Sequence, residues 1–131
     1  MTKIYLASPY SHHDPAIREK RFVSACKAAA RLMREGHIVF SPIAHSHPVA
    51  LHGGIDPTHN FDWLGQDLPV LAKFDEVHVL CIPGASESKG VKAELQEAKR
   101  LDKRIEFMFP SERIKRLLKI KTLTVDSLLK R

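Results

Sequence analysis

The feature that most restricts this chain is an alternation. Four short apolar runs rich in β-branched and aromatic residues, KIYLAS (3–8), HIVFS (37–41), EVHVLCI (76–82) and RIEFMF (104–109), are separated by longer segments of helical character. The first, DPAIREKRFVSACKAAARLMREG (14–36), carries a capping Asp14, Pro15 suited to a first turn and Gly36 suited to an exit. Ile17, Phe22, Cys26, Ala29, Leu32 and Met33 recur along it near helical spacing and predict one apolar face. FDWLGQDLPVLAKF (61–74) and KGVKAELQEAKRLDK (89–103) read as two more helices, and Ser111 as the cap of a basic helical C-terminal segment, 111–131. Between them PIAHSHPVALHGGIDPTHN (42–60), rich in Pro, Gly and His, reads as a long loop with room for a short helix. Strands alternating with helices predict an α/β domain with a parallel sheet of four to five strands covered on both faces, and a length of 131 residues fits one such domain.

In sheets of this kind ligands bind beyond the carboxyl ends of the strands. Three stretches leave strand ends here: SPYSHH (8–13), SPIAHSHP (41–48) and PGASESKG (83–90). The last enters a helix whose first N–H groups and positive dipole end suit an anion. Ser86 and Ser88 offer hydroxyls, Lys89 and Lys92 charge, and Gly90 close backbone approach. The Gly-Lys-Ser/Thr ending of a Walker loop is absent. The stretch is therefore either a phosphate cradle or an ordinary helix cap with two solvated lysines. Glu94 follows one turn inside. It is either a dipole partner at the surface or, if it faces the cleft, a carboxylate nucleophile for a sugar carbon whose substituent is anchored next door. A partner must then protonate the leaving group, and Asp67, Asp75 and Tyr10 are the candidates. Asp75, directly before a strand, also fits a turn or cap, and Tyr5, inside its strand, fits packing.

His45, His47, His52 and His59 fall in one segment. In an extended chain His45 and His47 point to one side, as metal ligands do. The other reading, taken here, is a polar pocket wall shared with Asp56, Phe61 and Trp63, either aromatic being able to stack on a base. Neither cysteine, Cys26 or Cys81, sits in a Cys-x-x-Cys pair, so both read as buried thiols of a reducing compartment. No apolar run reaches the roughly 20 residues of a membrane span. The expected location is cytoplasmic. The net charge of +6 gathers toward the C-terminus as a solvated helix face, and nucleic acid is not an expected partner.

KIYLASPY at the N-terminus, Asp67 and Asp75 ahead of a strand, and SKGVKAELQEAK after it resemble the nucleoside 2-deoxyribosyltransferase superfamily over residues 3 to 109. The resemblance implies a flavodoxin-like fold and cleavage or exchange of an N-glycosidic bond. It implies Glu94 as the nucleophile that forms a glycosyl-enzyme ester, Asp67 as the residue assisting the leaving base, and Tyr5 with Ala7, Ser8 and Pro9 as pocket lining. Ser88-Lys89-Gly90-Val91-Lys92-Ala93-Glu94 is similar to the Ser-x-Gly-Val-x-x-Glu of the 2′-deoxynucleoside 5′-monophosphate N-glycosidases, where transferases of free nucleosides have Asp first. SPYSHH departs from the glycine-rich turn of those glycosidases, and the SPIAHSHP…HGG segment departs from both branches and looks like an uncharacterised bacterial and phage subfamily.

The expectation is thus an N-glycosidase for a nucleoside 5′-monophosphate. Glu94, Asp67 and Tyr10 are catalytic. Tyr5, Ser8, Pro9, His45, Trp63, Ser86, Ser88, Lys89 and Gly90 bind substrate. No cofactor or metal is called for, and the resemblance implies a homodimer or higher homo-oligomer. Deoxyribosyl transfer between bases and a nucleotide-binding sensor without turnover are the alternatives, with a metal-dependent hydrolase built on the loop histidines behind them.

Overall fold

A computed structural model describes residues 2–111. The expected basic helical segment lies outside them from residue 112 on. The order is β1 (Lys3–Ala7), α1 (Pro15–Arg34), β2 (Ile38–Phe40), α2 (Pro42–Gly53), α3 (Trp63–Leu71), β3 (Glu76–Leu80), α4 (Lys89–Arg100) and β4 (Arg104–Met108). Among the described residues one sheet forms, of order β2-β1-β3-β4 with every pairing parallel.

The two-residue period of the strands explains the layers. In β1, Ile4 and Leu6 point to one side, where they meet Ala28, Ala29 and Leu32 of α1 together with Leu80, Ile82 and Met108. Tyr5 and Ala7 point to the other, with Val77, Val79 and Cys81 of the β3 segment, Leu71 of α3 and Val91, Leu95 and Ala98 of α4. Both faces of the central strands are thus buried, the condition under which near-continuous apolar runs make parallel strands. On α1 the apolar face is centred on Ala25, Ala28, Ala29 and Leu32, whereas Met33, expected on it, is 54% exposed. Cys26 is half-buried, Cys81 buried, and both are free thiols.

The segment read as a long loop is mostly helix. Ser41 caps α2 by accepting from the N–H of Ala44 at 3.1 Å, Pro42 opens it and Gly54, at φ 68°, closes it. Pro48 lies inside this helix, and an interior proline removes a backbone bond, so sequence alone argued against it. Asp75 accepts from the N–H of Lys3 at 2.9 Å, joining the amino ends of β1 and β3. That is the capping role, at the end of the sheet away from the strand-exit loops.

Candidate active site

The chain reverses its direction of travel across the sheet between β1, which is followed by β2, and β3, which is followed by β4. Loops leaving the carboxyl ends on the two sides of this point diverge and leave a crevice. A cavity of about 510 Å³ opens there. Its wall is drawn from the three expected loop regions plus α2 and α3: Ser8 and Tyr10 after β1, Ser46 and His47 on α2, Trp63 and Asp67 on α3, and Ser88 to Gly90 with Glu94 on α4.

Glu94 sits on the buried stripe of α4 with Val91, Leu95 and Ala98. It is 5% exposed, yet its carboxylate reaches the cavity. The phenol O–H of Tyr5 donates to its Oε2. Burial drives the Glu94 carboxyl up to about 8, with the Tyr5 hydrogen bond pulling down and the charge of Asp67 pushing up. Asp67, 9% exposed on α3, is raised to about 6 by burial. The floor of the cavity is therefore two carboxyl groups close enough to feel each other, held in a low-dielectric setting. The phenol of Tyr5 is itself pushed far up by burial and by Glu94, so it stays protonated and keeps donating.

One rim is the start of α4. Ser88 caps it, its Oγ accepting from the N–H of Val91 at 3.1 Å, which leaves the hydroxyl proton to donate elsewhere. The N–H groups of Lys89 and Gly90 have no intrahelical partner by their position in the first turn. A Cβ at Gly90 would come no closer to another side chain than 3.8 Å from Ser88 Oγ, so its bare backbone faces open space. Lys89 adds a positive charge and Glu87 a negative one to the same rim.

The opposite rim is the β1–α1 loop. Arg21 pins it by donating to the backbone oxygens of Ser11 at 3.0 Å and Tyr10 at 3.4 Å. The guanidinium lies over Gly84, where a Cβ would fall 2.3 Å from an Arg21 nitrogen and where φ is +101°. The positive φ is what calls for glycine at position 84, and a side chain there would also displace the tip of Arg21. Ser8 Oγ, at the exit of β1, is buried against the cavity and has no hydrogen-bond partner among the described residues. A hydroxyl in that state is costly unless a bound ligand completes it. On the third side Trp63 donates its indole N–H to the Asp56 carbonyl at 2.9 Å, and its ring lies 4.6 Å from that of Phe61.

The structure thus gathers Glu94, Asp67, Tyr10, Ser8, Trp63, Ser88, Lys89 and Gly90 around one cavity. Four residues expected to touch substrate are placed otherwise. Tyr5 is fully buried and acts on Glu94 instead. Pro9 is buried away from the cavity wall, and Ser86 lies in the turn before α4, also off the wall. His45 is exposed, its ring against Phe40, because on a helix residues 45 and 47 point to different sides rather than to one. No group of three His, Cys, Asp or Glu able to hold a metal occurs among the described residues. Asp56 shapes its own loop by accepting from the Thr58 N–H and hydroxyl. The cavity wall also contains His47, Thr58, His59 and Glu87.

A crevice at the switch point of a parallel sheet, floored by two buried carboxyls and rimmed by a helix start, defines a small-molecule site of an α/β domain. The chain belongs to the family described as a domain of unknown function, DUF1937, which it matches over residues 2–109. No curated protein matches it. Among solved structures it is similar to the 2-deoxyribosyltransferase of Bacillus psychrosaccharolyticus, with 21% sequence identity, a TM-score of 0.58 and coverage of 96% of this chain and 95% of that one. The flavodoxin-like fold expected from the motifs is the fold the two share.

Proposed function

We propose that the protein cleaves the N-glycosidic bond of a nucleotide, with Glu94 as nucleophile. The observation that carries this reading is the placement of Glu94: a buried carboxyl, held by the Tyr5 phenol, exposed only to a cavity whose rim is a helix start. A carboxylate so held attacks C1′ from a fixed direction and forms a glycosyl ester. Asp67 and Tyr10 assist departure of the base. Ser88, Gly90 and the unpaired N–H groups of α4 receive a 5′-phosphate, with Lys89 adding charge. Trp63 offers a face for the base, and Ser8 a hydroxyl for the sugar. A cavity of this size suits a ligand as large as a nucleotide. The Bacillus psychrosaccharolyticus protein is a 2-deoxyribosyltransferase described as a biocatalyst for nucleoside synthesis, and the likeness to it supports glycosidic-bond chemistry here. Water resolves the ester in this reading, no cofactor takes part, and the enzyme acts in the cytoplasm as a homo-oligomer.

One observation favours a second reading. With burial holding its proton up to about pH 8, Glu94 is a poor nucleophile at neutral pH. A protein that binds a nucleotide without turnover would keep it so, using the carboxyl as a hydrogen-bond donor. Incubation with ribo- and deoxynucleosides and their 5′-monophosphates, followed by chromatography for free base, separates the two. Release by the parent protein and none by Glu94→Gln supports the glycosidase. Binding without release supports the sensor.

A further inference from the structure

The cavity holds a second arrangement that the sequence did not announce. Tyr10, on the rim formed by the β1–α1 loop, has its phenol oxygen 2.7 Å from Nδ1 of His47 on α2. Nε2 of the same ring lies 2.8 Å from a carboxylate oxygen of Glu19 on α1. The imidazole is stacked on Phe22, with ring centres 4.3 Å apart and planes 25° apart, so its two nitrogens are held toward these two partners. The side chain of His47 is 12% exposed and that of Glu19 58% exposed. A line of three titratable groups therefore runs from the surface to the cavity. Burial raises the Tyr10 phenol above its ordinary value, with the nearby Arg18 guanidinium pulling down and Glu19 pushing up, so the resting phenol keeps its proton.

We propose that Tyr10, His47 and Glu19 form an acid–base relay that supplies the proton to the departing base and recovers it from the attacking water. This rests on the glycosidase reading and names the proton source within it. Asp67 lies close enough to Glu94 to act on its charge, whereas Tyr10 enters the cavity wall from the β1–α1 loop and is tied to His47 of α2. A retaining reaction needs its acid and its nucleophile on opposite faces of the anomeric carbon.

The cycle closes without an outside reagent other than water. At the start His47 carries both ring protons, giving one to Glu19 and one to the Tyr10 oxygen, so that the Tyr10 O–H points into the cavity. As Glu94 bonds to C1′, the C1′–N pair leaves with the base. The Tyr10 proton passes to a base nitrogen, and the Nδ1 proton follows to the phenol oxygen. Neutral His47 remains, its Nε2–H on Glu19. In the second step water attacks C1′ and releases Glu94. The proton it loses goes to the Tyr10 oxygen, while the phenol proton returns to Nδ1. Glu19 orients the ring and steadies its charge throughout, as the carboxylate of a catalytic triad does. His47 and Glu19 are thus positioning and relay residues, and of the three only Tyr10 meets the base.

The test compares two substrates that differ in their need for a proton. Guanosine 5′-monophosphate must have its base protonated on departure. 7-Methylguanosine 5′-monophosphate already carries the charge and loses a neutral base unaided. Both are offered in ribo and deoxy forms to the parent protein, His47→Gln and the milder surface variant Glu19→Gln, after melting curves show that the variants are folded. The relay predicts a loss of 100-fold or more for His47→Gln on the unmethylated substrate and less than threefold on the methylated one. Glu19→Gln should show the same contrast at about tenfold. Equal losses on both substrates, or none on either, overturn the relay and leave the glycosidase reading standing. No base from any of them, nor from the other nucleoside 5′-monophosphates, with the parent protein overturns both.

Discussion

Replacing Glu94 by Gln should stabilise the protein, and by an amount that grows with pH. An ordinary glutamate loses its proton near 4.5, whereas Glu94 in the folded state holds it to about 8. Below pH 4.5 both folded and unfolded chains carry the proton, and the contribution to stability is complete. Between 4.5 and 8 the unfolded chain releases the proton and the folded one does not, so stability falls. Above 8 the loss levels off. The full shift corresponds to roughly 5 kcal/mol, and relaxation around a buried charge reduces what is measured. Gln keeps the shape and still accepts from the Tyr5 O–H, but cannot ionise. The advantage of Glu94→Gln over the parent should therefore be near zero at pH 4.5 and reach at least about 2 kcal/mol at pH 9, or about 8 °C in melting temperature for a domain of this size. Denaturant titrations at pH 4.5, 7 and 9 measure it. A difference that stays constant across that range would show that Glu94 is solvated in the folded state, and the account of the floor of the cavity would be refuted.

Other expectations follow from the same geometry. In the His47→Gln variant, whose side chain does not titrate, kcat/KM should fall about tenfold per pH unit below pH 8 as Glu94 gains its proton, since this ratio reports groups of the free enzyme; a flat profile from 6 to 8 in that variant speaks against Glu94 as nucleophile. Tyr5→Phe removes the donor that steadies the carboxylate, which should raise the Glu94 pKa further and cost about 10- to 100-fold in kcat/KM at pH 7, read from initial rates. Ser88→Ala should cost about 1 kcal/mol of stability through the lost cap and raise KM for monophosphates much more than for nucleosides; equal effects on both would remove the phosphate from this rim. Gly84→Ala, which meets Arg21 at positive φ, should lose about 1 to 3 kcal/mol in a chemical denaturation series.

The sheet was legible because its central strands are buried on both faces, which leaves uninterrupted runs such as EVHVLCI. The α1 helix was legible from Asp14, Pro15 and Gly36, which mark its ends in the sequence. Glu94 and Asp67 also leave a local trace: each is a carboxylate set into an apolar stripe, one between Val91 and Ala98, the other between Leu64 and Leu71. A buried ionisable group of that kind is rarely structural filler. The α2 helix was hidden because Pro48 and the histidines are weak helix formers, and its stability comes from packing on α1 and from the Ser41 and Gly54 caps. With α2 read as extended, His45 and His47 were set side by side, and the link from His47 to Glu19 could not be seen. That link joins residues 28 apart in the chain through the packing of two helices, and no local pattern encodes it. Tyr5 shows a third limit. Its place inside a strand was plain, but the reach of its phenol to Glu94 across 89 residues depends on how α4 lies against β1.

The central claim is that Glu94 attacks a sugar carbon. Mass spectrometry of the intact protein, quenched within seconds of mixing with nucleoside 5′-monophosphates, tests it most directly. The account predicts an added mass equal to one glycosyl phosphate, located on the peptide that contains Glu94 and absent from Glu94→Gln. Free base released with no adduct at that residue, or with equal yield from Glu94→Gln, would contradict it.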